Sequence, residues 1–308
     1  MLTAMAVQSI SLNHRINKKK YTGLIYILPW LIGFLGLQLY PFIMSFIYSL
    51  TEYSILKEPA FVGFKNYKYM FTLDRDFWKS LYITFLYVIM AVPAKLVFAL
   101  FIAMLLNMKI KFVNFYRTIY YLPSILGSSI AVSILWRYFF MRAGVINNML
   151  GALNIKPIDW LGLPQTALFT ISLLTVWQYG SSMVIFLAGL KQIPKSMYES
   201  ARIDGASSLK VFFFITLPSL SPIIFFNLIM QTIYAFQEFT APFVVTKGGP
   251  MKYTYLYGMM LYDQGFKFFN MGYACALSWI FFIVITIITL LIFKSSSMWV
   301  YYESEAGS

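Results

Sequence analysis

The chain has 308 residues, of which 60% are hydrophobic and only 11% charged, with 30 Phe and 23 Tyr. A water-soluble core of that size needs far more charged surface, so the composition excludes an ordinary soluble domain and points to a bilayer. The net charge of +13 is scattered over loops between apolar stretches, which fits anionic headgroups rather than nucleic acid, and one Cys with one His excludes an internal disulfide and leaves little for a metal site.

In chain order, a basic segment over 1–21 carries His14, Arg15, Lys18, Lys19 and Lys20. The apolar run that follows, 23–50, is too long for a signal peptide and ends in no small-residue cleavage site, so it is expected to stay as the first span. Five further runs follow at 80–107, 118–140, 165–190, 222–246 and 272–293. Each reaches the ~20 residues that cross the hydrocarbon at about 1.5 Å per residue. The fold class is therefore an all-α integral membrane protein of six transmembrane helices. One domain over 22–294 is expected, with a tail over 295–308. Prolines 29, 41, 93, 123 and 242 fall within spans and are expected to kink them.

The loops at 51–79 and 247–270 mix aromatics with lysine. Phe61–Phe71 reads as an interfacial helix, and Tyr253, Tyr255, Tyr257 and Tyr262 fit an aromatic belt at the headgroups.

Polar residues inside the spans are the candidates for a path. In span two, Lys95 stands near mid-membrane, where a charge costs about 2.5–3.5 kcal/mol on insertion scales, so a partner or a wet cavity is expected. Glu238 is one candidate partner; the alternative is that Lys95 acts with Arg137 on an anionic sugar. Span four supplies Trp177, Gln178, Tyr179, Ser181 and Ser182 around Gly180. In span five Asn227, Gln231, Tyr234 and Glu238 recur at i, i+4, i+7 and i+11, along one helical face. Such a stripe offers donors, acceptors and a stacking ring to a sugar; it equally serves as interhelical glue.

Between spans four and five lies the most informative stretch, Tyr198-Glu-Ser-Ala-Arg-Ile-Asp-Gly-Ala206. Ser196 is a candidate N-cap, and Glu199 three residues on completes a capping box. Gly205 can take the left-handed conformation that ends a helix. Ser207 can cap a second helix, which Pro218 is expected to stop. The outcome is a helix–turn–helix elbow over 196–218.

Glu199, Ser200, Ala201, Asp204, Gly205 and Ala206, then, with nine residues intervening after the glycine, Ile215, Leu217 and Pro218, resemble the EAA signature of permease subunits of binding-protein-dependent ABC importers. Ser200 stands where that family usually has Ala. Phe236–Phe239, Thr246–Pro250 and Gly272–Trp279 are similar to its carbohydrate branch (the maltose, lactose and glycerol-3-phosphate permeases). The resemblance implies a type I importer permease fold in which the elbow, through Glu199, Ser200, Ala201, Asp204, Gly205 and Ala206, seats in a groove of a cytoplasmic ABC ATPase dimer. It also implies a second homologous permease, an extracytoplasmic solute-binding protein landing on the outer loops, and no cofactor, metal or nucleic acid.

No phosphate-cradling Gly-x-x-x-x-Gly-Lys-Ser/Thr stretch occurs in the chain, so it is read as a transport subunit and not an enzyme. The basic segment before span one and the basic turn over 108–117 favour a cytoplasmic N-terminus in a cell membrane. An importer of glycerol phosphates or polyamines, and a stand-alone secondary transporter, remain the alternatives. The second of these leaves the elbow without a purpose.

Overall fold

The computed structural model describes residues 26–54, 57–108, 111–127 and 129–301. His14, the basic cluster Arg15 and Lys18–Lys20, Lys109 and the end of the tail lie outside the described residues. The chain runs through α1 (Tyr26–Ser49), a hairpin of β1 (Thr51–Ser54) and β2 (Lys57–Phe61), α2 (Lys65–Thr72), α3 (Arg75–Asn107), α4 (Val113–Leu126) and α5 (Ile130–Phe140). It continues with α6 (Val145–Ala152), α7 (Pro164–Trp177), α8 (Gly180–Gln192), α9 (Lys195–Ile203), α10 (Ser208–Ser219), α11 (Ser221–Phe236), α12 (Tyr257–Tyr262) and α13 (Met271–Ser296).

Three of these, α1, α3 and α13, are long and apolar enough to cross a membrane unbroken. Three bent pairs complete the six crossings: α4 with α5, α7 with α8 at 46°, and α10 with α11 at 65°. The continuous spans expected at 118–140 and 165–190 are thus each broken near the middle. Span five ends at Phe236, earlier than the expected 246, and Pro242–Thr246 forms a separate π turn. Pro93 and Pro123 sit inside helices, whereas Pro41 follows a six-residue π stretch, Phe34–Leu39, whose wider turn relaxes the ladder ahead of it.

Helix α3 is the hub. Its buried residues Ser80, Thr84, Tyr87, Ala91, Lys95 and Ala99 recur every three or four positions, making one face that packs on α7, α8 and α11. Ala91, Ala99 and Ala103 have no exposed surface. Small side chains here let neighbouring backbones close up, which supplies the packing that holds helices together where lipid cancels the hydrophobic drive.

At the end of the bundle opposite the elbow, the structure is more built than a belt of aromatics. The hairpin pairs Thr51 with Phe61 and Glu52 with Ala60, an element too short for its period to show in the sequence. It lies so close to α13 that a Cβ on Gly272 would meet the Thr51 carbonyl oxygen at 2.1 Å. The interfacial helix expected over 61–71 forms later, as α2. Asp74 caps α3, accepting from the backbone N–H groups of Asp76 and Phe77 at 2.9 and 3.2 Å and from the Tyr273 hydroxyl. Tyr257, expected in the belt, has no exposed surface. Its N–H donates to Thr84 Oγ1 at 2.8 Å, its hydroxyl donates to the Leu277 carbonyl at 2.9 Å, and its ring stacks on Phe281. Tyr257 therefore joins α12 to α3 and α13.

Candidate functional site

The elbow is built from backbone rules. After α8 the chain turns extended at Ile193 and Pro194, and α9 begins at Lys195 with Pro194 as its N-cap. The expected capping box of Ser196 and Glu199 does not form: Met197 N–H already donates to the Pro194 carbonyl at 3.2 Å, so Ser196 lies inside the first turn. The far end follows expectation. Gly205 has φ +72°, its N–H donates to the Arg202 carbonyl at 3.1 Å, and Ala206 N–H donates to the Ala201 carbonyl at 2.9 Å. That pair of bonds is a Schellman motif, which satisfies the last carbonyls of α9 and locks the turn. Ser207 then caps α10, accepting from Lys210 N–H at 3.4 Å.

Helix α10 does not stop at Pro218. A π stretch over Phe212–Thr216 precedes it, and the helix runs to Ser219, so the bend falls at Leu220. The two arms of the elbow are tied together where Tyr198 of α9 shares a hydrogen bond with Thr216 Oγ1 of α10 at 3.2 Å.

Of the six residues singled out here, Glu199, Ser200, Asp204 and Gly205 are exposed and Ala206 is half-buried. Ala201 differs from them in being buried, at 9% exposure. Two residues that the sequence reading missed stand out instead. Ile203 and Leu209 are 86% and 72% exposed, large apolar side chains in an otherwise polar segment. That mismatch was visible in the sequence and is the signal that marks them.

The polar residues of the spans separate into three kinds. Gln178 and its neighbours hold the breaks together. Gln178 Nε2 donates to the Gly127 carbonyl at 2.7 Å, Ser124 Oγ donates to the Gln178 carbonyl at 3.1 Å, and Ser181 N–H donates to Ser124 Oγ at 2.9 Å. Inside a bilayer no water can satisfy groups freed by a broken helix, so the break in span three and the break in span four satisfy each other. Gly127 and Gly180 permit the approach, since a Cβ on Gly127 would meet Gln178 Cγ at 2.2 Å. Replacing Gln178 with Ala is expected to strand the Gly127 carbonyl and to cost about 1–3 kcal/mol, read as a lower melting temperature of the purified protein. Glu238 is likewise structural. Its Oε1 accepts from Ala241 N–H at 2.9 Å, holding the start of the Pro242 turn, and among the described residues it forms no ion pair with Lys95.

The second kind is buried. Ser182 and Asn227 have no exposed surface, and among the described residues Ser182 Oγ and Asn227 Oδ1 have no partner. Asn227 Nδ2 donates to the Ile223 carbonyl within its own helix. Gln231 and Lys95 are 7% exposed, and Tyr179 is buried edge-on to Phe98 at 4.8 Å. Register brings these groups to one depth. Phe85 of α3 meets Phe236 of α11 at 5.3 Å, and ten residues from Phe85 to Lys95 match nine from Phe236 back to Asn227 on the antiparallel helix. Gly189 of α8 abuts Ile223, which puts Ser182, two turns earlier, within about a turn of Asn227.

Tyr234 is the third kind, 57% exposed on the surface of the chain. The stripe read from spacing is therefore divided, with its lower part inside the bundle and its upper ring outside. Arg137 lies exposed in the last turn of α5, which packs on α6, α7 and the Pro242–Thr246 turn. The structure thus places Arg137 on the surface of the chain and Lys95 within the bundle.

Six crossings, three of them broken, with a rigid exposed elbow between the fourth and fifth, define a membrane permease. The chain belongs to the family described as binding-protein-dependent transport system inner membrane component, which matches residues 73–302. It is 47% identical over 307 residues to the probable ABC transporter permease protein YesP of Bacillus subtilis (strain 168), covering 99% of each chain. It is 33% identical to the arabinooligosaccharides transport system permease protein AraP of the same organism, covering 90% of this chain and 89% of that one. Its fold matches a chain of the bacterial alginate ABC transporter solved with a pentasaccharide-bound periplasmic protein, with a TM-score of 0.80, 22% identity and coverage of 92% and 96%.

Proposed function

We propose that the protein forms half of the translocation path of an ATP-driven importer for a sugar or oligosaccharide. The observation that carries this is the elbow: a Schellman-locked helix presenting Glu199, Ser200, Asp204, Ile203 and Leu209 outward from a chain of this family. A rigid segment transmits a rigid-body displacement, where a loose loop would absorb it. Exposed carboxylates accept charge-assisted bonds, and the two exposed aliphatic side chains fill pockets on a partner. The partner is an ABC ATPase dimer on the cytoplasmic side, so the N-terminus is cytoplasmic too.

A second, homologous permease completes the path. Tyr234, exposed on the single chain, faces that shared cavity and stacks on a pyranose ring. Asn227, Gln231, Ser182 and Lys95 lie behind it in the bundle and line the path only when the bundle opens. The oligosaccharide-permease relative supports a carbohydrate substrate. Delivery is by an extracytoplasmic binding protein that lands on the hairpin and the 247–270 segment.

The test uses the single native cysteine. Cys275 sits half-buried in the last span, so a Ser200→Cys variant adds one accessible thiol. A membrane-impermeant maleimide is expected to label it in inside-out vesicles and not in intact cells, and a short bifunctional crosslinker from it is expected to capture the ATPase. Labelling from outside the cell would end this reading.

A further inference from the structure

The last described residues do not trail away from the bundle. Beyond α13 the backbone stays bonded, with Met298 N–H donating to Ser295, and Trp299 and Val300 N–H donating to Ser296. Trp299 then packs edge-on against Phe225 with centroids 5.9 Å apart, and Phe293 packs on the same ring at 5.1 Å. Two residues on, Tyr301 N–H donates to Ser221 Oγ at 2.8 Å. Ser221 Oγ in turn donates to the Pro218 carbonyl at 2.7 Å.

Those contacts fall on the hinge of the elbow. Leu220, where the axis turns by 65° between α10 and α11, is fully buried. On one side it is held by α8, where a Cβ on Gly189 would meet Leu220 Cδ2 at 2.9 Å and Ile223 Cδ1 at 2.1 Å. On the other side it is held by the tail through Ser221. Between them lies a cavity of about 190 Å³ whose walls include Pro194 and Met197 at the entry of α9, Ser219 at the hinge, and Tyr301 from the tail. The C-terminal segment and the elbow helix thus face each other across one small space.

We propose that residues 298–301 are a strap that ties the last span to the hinge of the elbow, with Trp299 and Ser221 as positioning residues for coupling. This rests on the reading of the elbow as the lever moved by an ATPase. A lever hinged at Leu220 without the strap swings against α11 alone. With the strap its displacement is shared with α13, because Ser221 joins the Pro218 carbonyl to the Tyr301 backbone. The strap therefore decides how much of each stroke reaches the path.

The experiment is done on the complete transporter in proteoliposomes, reading sugar moved per ATP hydrolysed. Trp299→Ala and a chain ending at Ser297 are expected to lower that ratio about three- to tenfold, the scale set by one aromatic contact and one hydrogen bond. Co-purification with the partner subunits stays unchanged, Trp299→Phe restores the ratio, and a chain ending at Tyr301 keeps it. Gly205→Val is the control for the lever itself. If Trp299→Ala and the Ser297 truncation keep the wild-type ratio while Gly205→Val loses it, the strap is wrong and the lever stands. If all three keep it, both fall; if the chain ending at Tyr301 loses the ratio too, the effect belongs to residues beyond the strap and the proposal is overturned.

Discussion

On the proposed reading, Gly205→Val is expected to abolish ATP-dependent uptake while leaving the chain inserted and bound to the second permease proposed above. Gly205 holds φ +72°, a region that costs an L-residue roughly 1–2 kcal/mol and a β-branched one more. A Cβ there meets no atom within 4 Å, so the penalty is one of backbone conformation and not of collision. The strain is relieved by giving up the Ala206–Ala201 and Gly205–Arg202 bonds, which unwinds the end of α9 and tilts Asp204 and Ile203 away from their places. Because the residue is exposed and the span packing untouched, the loss is one of coupling. Gly205→Asn, which tolerates the left-handed region, is expected to retain most of the uptake. Equal uptake by the valine and wild-type proteins would show that the locked turn has no part in transport.

Lys95→Met is expected to have the opposite signature, raising thermal stability and lowering transport. Lys95 is 7% exposed on the packed face of α3, and among the described residues its ammonium has no ion-pair partner. A charge at that depth carries an insertion cost of about 2.5–3.5 kcal/mol, and methionine occupies similar volume without it. On the proposed reading the Lys95 side chain serves the path by supplying donors at the depth of Asn227 and Ser182, whose Oδ1 and Oγ have no partner among the described residues. Melting of the purified transporter and initial uptake rate together decide the matter. A drop in melting temperature would mean that a carboxylate, Glu238 or one outside this chain, stabilises the Lys95 charge, and a stabler protein with unchanged uptake would remove Lys95 from the path.

How much of this was legible beforehand follows from which forces are local. Gly205 and Ser207 were readable because a helix end is settled by a few neighbouring backbone groups. The capping box at Ser196 failed for an equally local reason, since Pro194, with its fixed φ and a free carbonyl, starts the helix before Ser196 can. Six apolar runs were legible as six crossings. Their breaks were not, because a break at Gln178 survives only where Gly127 and Ser124 from another span lie against it.

The sequence by itself determined the membrane class, the number of crossings, the position of the elbow and the family to which that elbow belongs. Hydropathy and helix-end chemistry act over a turn or a bilayer's width, so one strand of text contains them. Only the tertiary structure decided which polar residues are buried, which are exposed and which merely hold the breaks. Spacing sets the direction of Asn227, Gln231 and Tyr234 around their helix, but burial depends on what lies opposite at each depth. That is why one stripe leaves Asn227 with no exposed surface and Tyr234 with more than half.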